Sequence, residues 1–158
     1  MITTYLFDWG DTLMVDFPDI DGKMCDWKHV EAVIGAQETL RELSAKALIC
    51  VATGAADSSE EEIRTAFQRV GLNQYITKYF CKENVGVEKG SAEFFSTILS
   101  QLDIPAAQVI MVGDSYAKDI QPALSVGITP IWFVPDSKLS ASRKVKTIRC
   151  LRELCSTK

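Results

Sequence analysis

The sequence predicts an α/β fold of three layers, in which helices cover both faces of a central parallel sheet. Short apolar runs alternate with helix-like segments along the chain, which is typical of successive β-α-β units. Two of these runs, ALICVA at 47–52 and VIMV at 109–112, are hydrophobic throughout and show no polar alternation. Strands that are covered on both faces have this pattern. We therefore expect a Rossmann-like architecture.

Four strands are predicted from apolar runs rich in β-branched and aromatic residues. They are TTYLF at 3–7, ALICVA at 47–52, QVIMV at 108–112 and TPIWFV at 129–134. A helix-like segment separates each strand from the next, so we expect neighbouring strands to run parallel.

Four helices are predicted from apolar residues at helical spacing. They span residues 36–45, from Ser58 or Ser59 to Gly71, 91–102 and 117–126. The second begins with a serine cap followed by three glutamates, and glycine ends it, as is common at helix termini. Pro122 lies inside the fourth, where it is expected to bend or interrupt the helix.

One segment falls outside this alternation. Residues 14–35 follow the first strand and are expected to form a short insertion over one end of the sheet. The tail, residues 138–158, is expected to add a final strand and helix. Its basic residues are interpreted as a solvated surface in preference to an anionic docking site, and they are Lys138, Arg143, Lys144, Lys146, Arg149, Arg152 and Lys158.

Length and composition narrow the functional class. The 158 residues, 47% of them hydrophobic, predict a single domain over 1–158, and the net charge of −4 argues against nucleic acid as the main partner. The five scattered cysteines suit free thiols. No secretion signal is visible, and no apolar run approaches the ~18 residues of a membrane span, so a cytoplasmic protein is expected. Both a monomer and a homodimer remain open.

Chemically useful residues follow three of the predicted strands. Asp8 and Asp11 follow the first strand, and Thr53-Gly54 follows the second. Asp114 follows the strand at 108–112, and Asp119 lies five residues after Asp114. Ligands of parallel sheets bind at the carboxyl ends of the strands. The carboxylates there suit Mg²⁺, and a hydroxyl beside a small glycine suits an anion. Each of these residues alone has an ordinary capping or turn role as its alternative.

Together these segments resemble the four ordered motifs of the haloacid dehalogenase-like hydrolase superfamily. They are YLFDWGDTL at 5–13, ICVATG at 49–54, VGVEKG at 85–90 and VGDSYAKD at 112–119. The resemblance implies a phosphatase-like member with a minimal cap. The ordered set is far more specific than any one motif.

The resemblance also implies roles for individual residues. Asp8 would attack phosphorus and form an aspartyl phosphate, which water then hydrolyses. Asp8, the Gly10 carbonyl, Asp114 and Asp119 would hold Mg²⁺, with Asp119 as ligand or support. Thr53 and the Gly54 amide would bind phosphate oxygens, and Lys89 would counter their negative charge. Without the resemblance, Lys89 would be interpreted as an ordinary surface lysine at the start of a helix.

The first motif departs from the pattern of most phosphatases in the superfamily. The acid/base aspartate two residues after the nucleophile is replaced by Gly10, and an acid follows one residue later as Asp11. Three explanations compete: Asp11 reaches the leaving group, water or substrate performs the proton transfer, or the protein is an inefficient phosphatase. A general acid/base contributes roughly 10² to 10⁴ in rate, so its loss slows turnover without abolishing it.

The short insertion bears on substrate choice. About 22 residues form a loop or a helical turn or two, which leaves the site fairly open to a phosphorylated small molecule or a phosphopeptide and makes dehalogenation less favoured. Trp9 has two open roles, substrate contact or packing beneath the insertion. Trp27 and His29 lie where they could line the mouth, although His29 is favoured as a surface or packing residue. The alternative function is an inactive homologue that binds a phosphorylated partner.

Overall fold

Six parallel strands form one sheet in the order β3-β2-β1-β4-β5-β6. The computed structural model describes residues 1–136 and 145–155. The strands are β1 (Thr4–Phe7), β2 (Leu48–Ala52), β3 (Lys78–Phe80), β4 (Val109–Gly113), β5 (Thr129–Phe133) and β6 (Lys146–Ile148). The order reverses at β1, which pairs with β2 on one side and β4 on the other. A crevice for ligands is expected at such a reversal.

Helices cover both faces of the sheet, as the fold class requires. They are α1 (Ala36–Ser44), α2 (Glu60–Arg69), α3 (Lys82–Val85), α4 (Ala92–Leu102) and α5 (Gln121–Ser125). In β1, Phe7 packs in the core beneath α1 and α2, whereas Leu6 points to the opposite core with Phe94 and Ile98 of α4. This alternation along a strand that is buried on both faces confirms the predicted three layers.

The four predicted strands are confirmed, but β3 was missed. It has only three residues, and Lys78 at its start is exposed, so neither length nor hydrophobicity marks it. Its place is set by pairing with β2, where Val51 lies opposite Tyr79. An edge strand of this kind depends on its neighbour more than on its own sequence.

The helix starts largely follow the predicted caps. Ser59 caps α2, since its hydroxyl accepts a hydrogen bond from the Glu62 amide (3.2 Å) and the Glu62 carboxylate accepts one from the Ser59 amide (2.8 Å). The predicted helix over 117–126 is divided instead. A π-helical turn (Tyr116–Ile120) leads into α5, whose first turn contains Pro122. Proline fits there because the first-turn amides have no partner within the helix.

The tail contains the predicted strand, β6, followed by a 3₁₀ helix (Leu151–Cys155) where a regular helix was expected. Leu151 and Leu154 are buried in the core that also contains Leu40 of α1. The basic residues Lys138, Arg143, Lys144 and Lys158 lie outside the described residues. The five cysteines are free, as expected.

The segment between β1 and α1 holds no cap domain, only loops and a 3₁₀ turn (Met24–Asp26). Polar contacts hold this segment against α2. Lys23 forms an ion pair with Glu62 at 2.8 Å, and the Arg69 guanidinium donates hydrogen bonds of 3.3 Å to the carbonyls of Met24, Cys25 and Lys28. Throughout the described part of the chain, no helix has the length and hydrophobicity that a membrane crossing needs.

Candidate active site

A cavity of about 540 Å³ lies at the carboxyl ends of β1, β2 and β4. Asp8, Thr53 and Asp114 line it, each placed by the strand that it follows. The strand pairing continues into the site, since the Asp8 amide donates to the Val112 carbonyl and the Thr53 amide to the Phe80 carbonyl, both at 2.9 Å. The positions of these side chains are therefore set by the rigid sheet.

Lys89 lies at the centre of the polar groups and is buried, with 3% of its side chain exposed. Its ammonium nitrogen is 2.8 Å from Asp8 Oδ1, 2.5 Å from Asp119 Oδ1 and 2.8 Å from the Ala52 carbonyl oxygen, to which it donates. A buried ammonium is unfavourable unless partners of this kind surround it. The surface-lysine interpretation does not describe Lys89.

Three carboxylates converge beside this lysine. One oxygen from each of Asp8, Asp114 and Asp119 lies within 4.8 Å of the others. The Thr12 hydroxyl is 3.4 Å from Asp8 Oδ2 and 3.3 Å from Asp114 Oδ1, within hydrogen-bond reach of both. Lys89 therefore contacts Asp8 and Asp119, while Asp114 has no cationic partner among residues 1–136 and 145–155.

The pKa values follow from this uneven pairing. For Asp8, burial opposes ionisation, but the Lys89 charge and hydrogen bonds involving Asp114 and Lys89 outweigh it and lower the pKa. For Asp114, burial, the hydrogen bond with Asp8 and the negative charges of Asp8 and Asp119 raise the pKa to about 8. For Asp119, burial and Asp8 raise the pKa to about 6 despite Lys89. Asp8 is thus the carboxylate most readily ionised, as a nucleophile requires.

The donor set fits a magnesium ion. Mg²⁺ prefers oxygen ligands and usually binds one or two carboxylates with several waters. Here burial, the hydrogen bond with Asp8 and the negative charges of Asp8 and Asp119 raise the pKa of Asp114, and a divalent cation relieves the repulsion between these charges. Gly10, whose carbonyl was predicted as a further ligand, also lines the cavity.

Asp119 is held from two sides in the π-helical turn. Its Oδ2 accepts a hydrogen bond of 3.0 Å from the Ser115 amide, and its Oδ1 meets Lys89. The carboxylate occupies the space in which a side chain on Gly113 would lie, so any larger residue at position 113 would collide with it. The glycine of the fourth motif thus has a steric explanation.

Thr53 and Gly54 occupy the β2 side of the cavity. The Thr53 hydroxyl accepts a hydrogen bond of 3.1 Å from the Ala55 amide, which orients it beside the loop. A Cβ atom on Gly54 would lie 3.5 Å from Lys89 Cβ, an ordinary contact. The glycine therefore leaves the backbone at this point open toward the cavity.

Asp11 and a residue that the sequence did not single out, Asp16, lie on the side of Gly10. Asp11 adopts a left-handed backbone conformation (φ 59°), and its Oδ1 accepts a hydrogen bond of 3.0 Å from the Asp16 amide. Both Asp11 and Asp16 line the cavity. Burial together with the charges of Asp11 and Asp8 raises the pKa of Asp16. No sequence signal marks Asp16, because its distance from Asp8 along the chain matches no motif.

Some aromatic residues of this region line the cavity, and others lie on the protein surface. Trp9 is buried against Phe67, with ring centroids 5.9 Å apart, and also lines the cavity, so both of its expected roles are compatible with its position. Trp27 lines the cavity as well and donates to the Gly22 carbonyl at 3.1 Å. His29 is exposed and its ring nitrogen is 2.8 Å from Glu31, which agrees with the favoured surface role.

Comparison with known families matches residues 9–133 to the model described as haloacid dehalogenase-like hydrolase. The matched range begins directly after Asp8 and covers Thr53, Lys89, Asp114 and Asp119.

Curated proteins that are similar to the chain include a phosphatase and a nucleotidase. The chain is 29% identical over 116 residues to ribulose-1,5-bisphosphate 5-phosphatase of Halopiger xanaduensis, covering 73% of this chain and 47% of that protein. It is 30% identical over 99 residues to a pyrimidine 5'-nucleotidase of Escherichia coli, covering 62% and 43%. The chain thus spans less than half the length of these relatives.

A similar solved structure is that of a haloacid dehalogenase-like (HAD) hydrolase of Bacillus subtilis, determined with bound magnesium. It superposes with a TM-score of 0.77 at 15% identity, over 97% of this chain and 96% of that one. At this level of identity the similarity concerns the fold.

Proposed function

The chain belongs to the haloacid dehalogenase-like hydrolases, and from this we propose that it is a magnesium-dependent phosphatase acting on phosphate monoesters through an aspartyl phosphate on Asp8. The observation that carries the proposal is the buried ammonium of Lys89 between Asp8 and Asp119. A buried charge cluster in a cavity is energetically costly and is characteristic of functional sites.

Asp8 is the nucleophile in this proposal. It is ionised because Lys89 lowers its pKa, and one of its oxygens is held at 2.8 Å by the ammonium while the other faces Thr12. Attack on phosphorus forms the aspartyl phosphate and releases the alcohol, and water then attacks the intermediate and regenerates Asp8. Splitting the hydrolysis in this way replaces one difficult step with two easier ones.

Lys89, Thr53 and the Gly54 amide bind the transferring phosphoryl group in the proposal. All three residues line the cavity beside Asp8. Preorganised donors of this type stabilise charge that develops in the transition state, and loss of one typically costs about 10² to 10³ in rate.

Asp8, Asp114 and Asp119 would hold the magnesium ion, with the Gly10 carbonyl as a further proposed ligand. The bound ion would neutralise charge on the phosphoryl oxygens, which otherwise repel the Asp8 carboxylate. Thr12 supports this group by placing its hydroxyl between Asp8 and Asp114.

A phosphorylated small molecule is the proposed substrate class. A cavity of about 540 Å³ lies within the range that metabolite-sized ligands occupy. The two curated relatives are named for sugar-bisphosphate and nucleotide substrates, which supports a phosphorylated metabolite over a phosphopeptide. A cytoplasmic location remains part of the proposal.

The test is hydrolysis of a panel of p-nitrophenyl phosphate, sugar phosphates, nucleotides and phosphopeptides. Wild type is compared with Asp8→Asn, each with magnesium and with a chelator. We expect activity that needs both Asp8 and magnesium and that is highest on a small-molecule ester.

Two outcomes would contradict the proposal. Activity retained by Asp8→Asn would exclude the covalent route through this residue. No activity in folded, magnesium-loaded wild type, combined with binding of phosphorylated ligands that chelation does not change, would favour the binding role that the missing acid at Gly10 suggests.

A further inference from the structure

The carboxylate of Asp16 occupies the space beside Gly10. A Cβ atom on Gly10 would lie 3.4 Å from Asp16 Cβ, 3.7 Å from Cγ and 3.5 Å from Oδ2. Gly10 does not have a positive φ, so the backbone there accepts a side chain. An acidic side chain attached at residue 10 would therefore begin in van der Waals contact with the Asp16 carboxyl group.

Asp16 lies in the same cavity as the proposed nucleophile. Both Asp8 and Asp16 line the cavity, and Asp16 is exposed to solvent, with which it can exchange protons. Within residues 1–136 and 145–155, no side chain donates a hydrogen bond to the Asp16 carboxylate or pairs with it. Its oxygens are thus available to a ligand.

Asp11 holds Asp16 in this place. The Asp11 amide donates to the Met14 carbonyl at 2.6 Å, and Asp11 Oδ1 accepts the hydrogen bond from the Asp16 amide at 3.0 Å. These bonds close a tight turn over residues 11–16 and bring residue 16 back toward Gly10. One carboxylate oxygen of Asp11 is thereby used within the loop.

We propose that Asp16 is the general acid and base of the phosphatase reaction, with Asp11 as its positioning residue; this inference rests on the proposed function. In the first step Asp8 bonds to phosphorus, the bond from phosphorus to the ester oxygen breaks, and that oxygen takes the proton of the Asp16 carboxyl group. In the second, Asp16 removes a proton from water as the water oxygen bonds to phosphorus and the bond to Asp8 breaks. Phosphate leaves, and Asp16 is protonated again.

The first experiment compares leaving groups in the full chain. Alkyl phosphates need a proton on the departing oxygen, whereas 2,4-dinitrophenyl phosphate does not. We expect Asp16→Asn to lower kcat/KM for an alkyl phosphate by about 10² to 10⁴ while leaving the first step with the dinitrophenyl ester nearly unchanged.

The second step provides a separate readout. Without a base for water, Asp16→Asn should release one equivalent of dinitrophenol in a burst and then turn over slowly as the aspartyl phosphate accumulates. Asp19→Asn, which alters an exposed acid of the same insertion outside the cavity, should behave as wild type. Thermal unfolding establishes that each variant is folded.

A rescue variant tests the geometry. Asp16→Ala removes the carboxyl group beside Gly10, and Gly10→Asp adds one at that place. The double variant Gly10→Asp/Asp16→Ala should therefore recover activity on alkyl phosphates over Asp16→Ala alone. A residue with a merely structural role would not be replaced in this way from a different position in the chain.

The outcomes separate this inference from the proposed function. Two results would overturn the role of Asp16 and leave the proposed phosphatase function in place. The first is an equal loss of kcat/KM on both esters in Asp16→Asn. The second is a leaving-group dependence and a burst in Asp11→Asn but not in Asp16→Asn. Wild type without Asp8-dependent hydrolysis would remove both proposals together.

Discussion

At the residue scale, the site depends on one buried cation. Lys89 contacts Asp8 and Asp119 together, and its own pKa is raised because, although burial opposes its charge, the two carboxylates outweigh that effect. It therefore remains an ammonium throughout the physiological range. Its charge lets Asp8 stay ionised next to two other acids, so we expect both stability and chemistry to depend on Lys89.

Lys89→Met should abolish most activity and weaken the fold. Loss of the ammonium leaves buried carboxylates without a partner, an arrangement that typically costs about 3–5 kcal/mol unless the acids take up protons. We expect kcat on p-nitrophenyl phosphate to fall by at least about 10² and Tm to fall.

The matched control is Lys118→Met. Lys118 also lines the cavity, but it is exposed. Its substitution should change Tm only as much as an ordinary surface substitution does. The loss of activity should be smaller than in Lys89→Met. Equal effects of the two substitutions would show that burial of Lys89 is not what matters.

At the element scale, the segment after β1 packs on α2 and is held in place by it. Trp27 and Lys23 of this segment form part of the cavity wall, and Arg69 of α2 binds three of its carbonyl groups. A segment without a core of its own needs such anchoring to keep a fixed shape. Its position should therefore affect substrate binding more than the chemical step.

Arg69→Ala should loosen this wall. The variant loses three hydrogen bonds to backbone carbonyls, each worth about 0.5–1.5 kcal/mol in a typical protein. We expect a higher KM with a smaller change in kcat, and faster proteolysis within residues 22–28. Gln68→Ala, at the exposed neighbouring position of α2, is the control and should match wild type. An unchanged KM and cleavage rate in Arg69→Ala would indicate that the segment holds its shape without the helix.

At the scale of the whole molecule, the proposed magnesium ion would compete with protons for the same carboxylates. The folded pKa values of Asp114 (about 8) and Asp119 (about 6) exceed the value of about 3.9 for an unfolded aspartate. The folded state therefore binds more protons than the unfolded state over this range, and stability falls as pH rises. The lowered pKa of Asp8 acts in the opposite sense only in acid, where its contribution is lost as pH falls.

Chelated protein should accordingly have a lower Tm at pH 8 than at pH 6, and magnesium should raise Tm more at pH 8. Thermal unfolding with chelator or with magnesium measures both effects, and Asp114→Asn should reduce the dependence on pH. A magnesium-induced rise in Tm that is the same at both pH values would show that the ion does not bind in competition with these protons.

Local pattern made much of this architecture predictable. Continuous apolar runs identified the buried strands, and the serine-glutamate pair at Ser59 and Glu62 marked the start of α2. The strand β3 and the π-helical turn were not predictable in the same way. The first is defined by pairing with β2, and the second by Asp119 turning back toward Lys89.

The fold class and the acids that follow the strands could be predicted from the sequence, because strand periodicity and the chemistry at strand ends are local properties of the chain. The burial of Lys89 between Asp8 and Asp119 could not be predicted in this way, nor could the position of Asp16 beside Gly10. Both depend on loops that bring distant or irregularly spaced residues together. No periodicity records the path of such a loop, since hydrogen bonds and packing in the folded molecule set its course.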